Sequence, residues 1–320
     1  MRIEGISVVV TSFNGEAWIR AAIVSILEQD LACPVEVIVI DDGSIDSTVS
    51  IIQSLDDARV QLIQNSTNLG TAKSRNVGIQ RARHQWIAFN DQDDVWLPHK
   101  LSRQCEIIED HPEIDGVAGG YARLAKDGLT RWTGRVFNKL WSPCHTPALE
   151  EPPYYFPARH GTCYVQSLLV CRNALQLIGG FRENLPIAYD PDLIIRLGEV
   201  IKLAALEEPV FLYRLSHTSI TGAANLNTLE FLSGFAYIYA AQEARASGQH
   251  EPDMNEFIKN YKPGAREIEQ FKKSQILRNI NTCWINDGLF YAMLTACQQV
   301  LRHPSLIGMM AVRMRWWKKE

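Results

Sequence analysis

Hydrophobic and polar positions in the first hundred residues alternate between two periods. Residues 6–11, Ile-Ser-Val-Val-Val-Thr, form a β-branched run of the kind found in strands buried on both faces. Ile19, Ala22, Ile23, Ile26 and Leu27 then fall on one face of a helix. Residues 35–40 read as a second buried strand, closed by the turn signal Asp41-Asp42-Gly43-Ser44. A short helix up to Leu55, a strand at 60–63, a helix over 70–83 and a strand at 86–89 follow. This alternation predicts an α/β fold, Rossmann-like, with a mostly parallel sheet and helices on both faces.

The rhythm then loosens. Pro98 is expected in the first turn of a helix reaching about His111, and 114–124 reads as a strand containing Gly119-Gly120. Periodicity fades over 125–161, where Pro143, Pro147, Pro152, Pro153 and Pro157 mark a long loop; loops of that length are often functional. Residues 163–171 regain strand character. A short helix, Gly179-Gly180-Phe181, a helix over 190–199 and two short strands within 201–214 come next. Beyond about Ala223 the pattern is mainly helical. The expected organisation is one domain over 1–223 and a helical C-terminal extension over 224–320.

Composition narrows the function. With 320 residues, 46% of them hydrophobic, the chain can bury a large α/β core and still carry an extension. A net charge of -4 supplies no global positive field, which argues against a nucleic-acid partner. The seven cysteines include no C-x-x-C pair, so neither a zinc ribbon nor a disulfide framework is indicated, and the cytoplasm is the expected compartment. The N-terminus lacks a signal-peptide layout. The longest apolar run near the C-terminus, 306–312, falls far below the ~20 residues that span a bilayer.

In sheets of this type ligands bind beyond the carboxyl ends of the strands. Those ends carry Thr11-Ser12-Phe13-Asn14, Asp41-Asp42 and Asp91-Gln92-Asp93-Asp94, so acidic and polar groups gather at one edge. Carboxylates this close call for a cation or hydrogen-bond donors, and oxygen ligands suit Mg²⁺ or Mn²⁺, which also holds substrate phosphates. An acidic turn ahead of a helix accounts for the same residues without any ligand. Asp42 could accept a base imide N–H, or simply belong to a turn that caps the next helix. Arg75, in the helix after Asn68-Leu69-Gly70, could sit near phosphates; an ordinary surface arginine is the plainer reading.

Taken in order, Val8-Val9-Val10-Thr11-Ser12-Phe13-Asn14, Val39-Ile40-Asp41-Asp42-Gly43-Ser44, Asn68-Leu69-Gly70, Arg75-Asn76 and Asp91-Gln92-Asp93-Asp94-Val95-Trp96 resemble the inverting family 2 glycosyltransferases with the GT-A fold. Ile178-Gly179-Gly180-Phe181, Asp190-Pro191-Asp192-Leu193, Tyr213-Arg214, His217 and Ser219 extend the resemblance to roughly residues 5–222. It implies a UDP- or dTDP-sugar as donor, an acceptor hydroxyl on a glycan or lipid-linked glycan, and a place in surface polysaccharide or glycolipid assembly. By the same resemblance Thr11, Asn14, Glu16 and Asp42 would hold base and ribose. Arg75 would lie near the nucleotide, and Asp91 would approach the ribose. Asp93 would ligate Mg²⁺ or Mn²⁺, with His217 helping to hold the metal–diphosphate unit. Asp190 matches the aspartate of the family's Glu-Asp pair, the catalytic base, although Tyr189 replaces the glutamate and with it that residue's acceptor contact. Asp190 could also be a mere N-cap, and Asp192 is a nearby rival for the base. The Asp-Gln-Asp-Asp-Val-Trp motif is similar to that of members assigned to rhamnosyl transfer, implying dTDP-rhamnose.

Competing classes fare worse. A nucleotidyltransferase would want a Gly-rich basic loop after the first strand, where Ser12-Phe13-Asn14-Gly15-Glu16 stands instead. A dehydrogenase would carry G-x-G-x-x-G there. A non-catalytic nucleotide-sugar binder has no need of Asp93, Asp190 and His217 together. Residues 309–319 mix Met and Trp with Arg and Lys, which predicts peripheral contact with the inner face of the cell membrane, the alternative being a terminal helix packed on its own domain. The aromatic loop at 141–155 is expected to flank the acceptor pocket.

Overall fold

β1 (Ile6–Ser12) is buried along its whole length because it lies inside the sheet. It pairs in parallel with β2 (Val35–Asp41) on one side and β4 (Trp86–Asp91) on the other, and β2 pairs in parallel with β3 (Val60–Gln64). The computed structural model describes residues 3–124, 154–155, 164–214 and 227–273, together with 275–276, 295–296 and 298. Within them β5 (Val95–Trp96), β6 (Gly116–Leu124), β7 (Tyr154–Tyr155), β8 (Leu169–Cys171) and β9 (Leu203–Arg214) complete a nine-stranded sheet, ordered β3-β2-β1-β4-β8-β6-β9-β5 with β7 beside β9. The sheet is parallel through β4 and mixed beyond it: β8 runs antiparallel to both β4 and β6, whereas β6 and β9 are parallel.

Helices cover both faces. Val8 and Val10 point into one core with α1 (Ile19–Leu27), α2 (Thr48–Gln53) and α4 (Lys100–Asp110). Val9 points into the other with α3 (Thr71–Arg81), α5 (Arg172–Leu177) and α6 (Tyr189–Val200). Period-two alternation along β1 thus feeds two cores at once. Each fully buried aliphatic side chain contributes about 1.5–3 kcal/mol before chain entropy is counted against it. Gly78 lets α3 approach β1 closely, since a Cβ there would come within 2.3 Å of Val9 Cγ1.

Three expectations need correction, and one short strand was not foreseen. Residues 163–171 are not one strand, because Val165–Ser167 form a 3-10 turn and only Leu169–Cys171 are extended. The two strands expected in 201–214 are one, β9, whose pairing with β6 shifts register around Gly120. The two-residue β5 is too short to leave a periodic signal. Pro98 lies ahead of α4, whose N-cap is His99.

Past the sheet, α7 (Thr228–Ala246) and α8 (Met254–Asn260) follow. The Asn227 side chain caps α7 by accepting from the Leu229 and Glu230 amides. Tyr237, Ile238 and Ala241 of α7 form a third core with Leu185, Ala188 and Ile195, so the helical segment packs against α6 and the loop leading into it. Arg245 of α7 pairs with Glu199 of α6 at 2.6 Å, and Arg182 pairs with Glu251 at 2.7 Å. Among the described residues no helix is long and apolar enough to cross a membrane.

Candidate active site

The strand ends at one edge bring most of the expected residues together. Thr11 sits opposite Asp91 in the β1–β4 register. Asn14 adopts φ +50°, and its side-chain oxygen accepts from the Ile45 amide at 3.0 Å while its own amide donates to Ser44 Oγ at 2.9 Å. Glu16 accepts from the Ser47 amide at 3.0 Å. Asp42 is buried and accepts from Asn65 Nδ2 and from the Leu69 and Gly70 amides, each at 2.8 Å. Asn14, Glu16 and Asp42 therefore tie neighbouring loops to one another. Ser47 rather than Asp or Ser of the Asp41-to-Ser44 turn occupies the N-cap of α2.

The Asp91-Gln92-Asp93-Asp94 turn divides its labour. Gln92 Oε1 accepts from the Ser12 hydroxyl at 2.7 Å and the Phe13 amide at 2.9 Å, fastening the loop after β1 to the loop after β4. Asp94 is buried; its Oδ1 accepts from the Arg214 amide at 2.9 Å and its Oδ2 has no partner. Arg214 also donates from Nε to the Asp93 carbonyl at 2.9 Å, with its guanidinium 4.0 Å from the Trp18 ring centroid. Burial, reinforced by the charges of Asp93 and Asp91, pushes Asp94 well above the usual carboxylate range. Burial and then the Asp91 charge push Asp93 up to about 6, against the pull of Arg214. Such a pile-up is an excess of negative charge that a divalent cation would relieve. Among the described residues no three His, Cys, Asp or Glu side chains converge to hold a metal unaided. One carboxylate completed by substrate phosphates is the usual way Mg²⁺ is held at such sites, and Asp93 fits that role. His217, proposed to assist it, and Ser219 lie outside the described residues, as do 309–319 and most of the 141–155 loop.

Behind this turn sits Arg75. It is 1% exposed, not the surface arginine of the plainer reading. Its Nη2 donates to Asp91 Oδ1 at 2.6 Å and its Nη1 to Asp190 Oδ1. The rings of Phe181 and Tyr189 lie 5.3 and 5.8 Å from its guanidinium carbon. Gln166, on the 3-10 turn, donates to the other oxygen of Asp91. The next residue along, Asn76, exchanges hydrogen bonds with the Phe181 backbone, so Arg75-Asn76 and Gly179-Gly180-Phe181 meet in space. Asp190 lies in the first turn of α6 and is not its N-cap, which is Ala188. Its side chain stays 22% exposed. Burial raises it from its ordinary value; Arg75 opposes the rise and Asp91 adds to it. Asp192 is buried instead, with Arg196 at 2.6 Å and Arg182 at 3.5 Å. Arg196 in turn donates to the carbonyls of Ile178 and Gly180, so Asp192 serves the turn before α6.

Sequence patterns missed the part played by Gln166 and by the two rings around Arg75. A lone amide in an apolar run carries no signal.

The profile described as "Glycosyl transferase family 2" matches residues 7–175, more than half of the chain and all of the β1-to-β8 edge just described. The chain is 30% identical over 207 residues to the succinoglycan biosynthesis protein ExoO of Rhizobium meliloti, a match covering 62% of this chain and 54% of that protein. It is 36% identical over 182 residues to the UDP-Glc:alpha-D-GlcNAc-diphosphoundecaprenol beta-1,3-glucosyltransferase WfgD of Escherichia coli, covering 52% and 70% respectively. The match to ExoO thus spans about half of that relative's length. In fold the chain is similar to S. aureus TarS bound to UDP-GlcNAc, with TM-score 0.59 and 18% identity over 88% of this chain and 73% of the other. It is also similar to the mannosyltransferase PcManGT of Pyrobaculum calidifontis bound to GDP-Man and Mn²⁺, with TM-score 0.53 and 16% identity over 100% and 89%. With the strand-end carboxylates, the buried arginine and the glycine turn all inside or beside the matched span, the chain belongs to glycosyl transferase family 2 and has its GT-A arrangement.

Proposed function

We propose that this chain transfers a sugar, with inversion, from a nucleotide-diphospho-sugar to a hydroxyl of a glycan or lipid-linked glycan. One observation carries the reading: Arg75 bridges Asp190, at the start of α6, to Asp91 at the end of β4, two residues ahead of Asp93. Asp190, partly exposed, takes the acceptor proton as the new bond to the anomeric carbon forms and the bond to the diphosphate breaks. Thr11, Asn14, Glu16 and Asp42 border the nucleotide, with Asp91 toward the ribose. Asp93, assisted by His217, would hold Mg²⁺ or Mn²⁺, which would supply charge neutralisation to the departing diphosphate.

The names of relatives support a UDP-sugar and a diphosphoundecaprenol-linked acceptor; the Asp-Gln-Asp-Asp-Val-Trp motif adds dTDP-rhamnose to the donors worth testing. A lipid-linked acceptor gives a cytoplasmic enzyme reason to touch the inner membrane face, and 309–319 is the segment suited to it. Sedimentation with anionic liposomes, undiminished after removal of 309–320, would refute that contact.

The decisive experiment incubates the protein and Mn²⁺ with UDP-Glc, UDP-GlcNAc and dTDP-rhamnose, with and without a lipid-linked GlcNAc acceptor. The expected result is acceptor-stimulated release of nucleoside diphosphate and a product of inverted anomeric configuration. Nucleotide binding with no release from any donor would leave a non-catalytic binder in its place.

A further inference from the structure

Among the described residues Arg75 heads the fully buried side chains by volume, and its charge must be accounted for. Burying a guanidinium is tolerable only when its donors are met by charge and geometry. Here one terminal nitrogen goes to Asp190 and the other to Asp91. Phe181 and Tyr189 flank it with aromatic rings. Each terminal nitrogen thus faces a carboxylate of the protein, and with the side chain only 1% exposed its remaining N–H groups are turned away from solvent and from a phosphate or base arriving there. Nε is buried too, and has no hydrogen-bond partner.

We infer, on the transfer reaction proposed above, that Arg75 is a positioning residue for the base rather than a ligand of the nucleotide: it pairs with the Asp190 carboxylate and aims it, and is itself anchored by Asp91 and Gln166. The anchoring is explicit. Gln166 is 3% exposed and donates to Asp91 Oδ2, while Arg75 donates to Asp91 Oδ1. Asp91 therefore has a protein partner on each oxygen and cannot swing away from the guanidinium without losing both. Tyr189, which stands where the family's pattern has a glutamate, lays its ring beside Arg75 and adds no further carboxylate.

The electrostatic consequence has a direction. Among the described residues the charged and titratable groups facing Asp190 are Arg75 from α3, Asp91 from β4 and Tyr189 from its own helix. One cation is shared by two carboxylates, leaving a net charge of about -1 before transfer. When the acceptor proton moves to Asp190, the remaining Arg75–Asp91 pair is neutral. Removing the cation should make Asp190 harder to ionise; removing the competing Asp91 charge should make it easier.

The test compares Arg75→Gln, Arg75→Lys and Asp91→Asn with the wild type. Affinity for UDP and dTDP is measured by calorimetry, and kcat is measured against pH with the donor that supports turnover. Arg75→Gln should lose kcat by about 10²-fold, keep nucleotide affinity within about twofold, and move the acid limb of kcat to higher pH. Arg75→Lys keeps the charge but not the fork; it should keep nucleotide affinity, lose less kcat, and leave the limb near its wild-type position. Asp91→Asn should move the limb to lower pH. If Arg75→Gln instead weakens nucleotide binding tenfold or more with the limb unmoved, Arg75 is a nucleotide ligand and the inference fails. If that variant does not fold, weakened nucleotide binding by Arg75→Lys, or a limb moved upward or unmoved in Asp91→Asn, overturns it equally. Failure of the transferase reading looks different: the wild type itself would release no nucleoside diphosphate.

Discussion

Asn76 and Phe181, 105 residues apart in the chain, exchange two hydrogen bonds of 2.9 Å each between the Asn76 side-chain amide and the Phe181 backbone. The exchange clamps the Gly179–Gly180 turn onto α3. The same turn leads into α6 and therefore into Asp190.

Asn76→Ala should cost about 1–3 kcal/mol, because it leaves the Phe181 amide and carbonyl without partners. Gly180→Ala should also destabilise, since Gly180 has φ +69° and an added Cβ would lie 2.5 Å from Asn76 Oδ1. Urea midpoints would report both losses, and kcat should fall with them. A wild-type midpoint for both variants would mean that the clamp is ornamental.

Asp190→Asn should fold, bind nucleotide normally and lose transfer by ~10² or more. Asp192→Asn should act on stability instead, because it removes the carboxylate from buried Arg196 and from Arg182. Circular dichroism melts beside turnover assays separate the two. A folded, inactive Asp192→Asn with an active Asp190→Asn would reverse the assignment of the base.

Asp93→Ala should abolish metal-stimulated transfer, and EDTA should do the same to the wild type until Mg²⁺ or Mn²⁺ is restored. Full turnover by the variant, or indifference to EDTA, would remove the metal from the proposal.

Glu36 offers a pH prediction away from the site. Burial tends to raise it, but bonds from the Ser7 hydroxyl and from the Arg83 amide and guanidinium outweigh burial and hold it below its ordinary value. Its contribution to stability is therefore complete above the ordinary carboxylate range and is lost as pH falls toward the lowered folded value. Glu36→Gln should cost about 1–3 kcal/mol at neutral pH, with the gap from wild type narrowing in acid. A gap that widened on acidification would contradict the sign.

Much of this architecture is legible in the chain because local pattern and burial agree. Val8, Val9 and Val10 announce a strand with a core on each side, and both cores are there. The acidic strand ends mark the edge where Asp91 and Asp93 lie. Legibility fails where a local pattern has two solutions. The run from Val165 to Leu169 is buried whether it coils or extends, so periodicity could not distinguish a 3-10 turn from a strand. It fails again where the cause is distant. Nothing near Arg75 foretells its burial, because its partner carboxylates lie 16 and 115 residues away.

The core shared by α7 with Leu185, Ala188 and Ile195 bears on how the molecule comes apart. A chain cut before α7 would present that apolar face to water beneath the very helix that carries Asp190, inviting aggregation rather than yielding a minimal enzyme. In the intact protein the amides of α6 and α7 should exchange with solvent deuterium as one cooperative unit, so that whatever loosens the C-terminal helices is felt at the base.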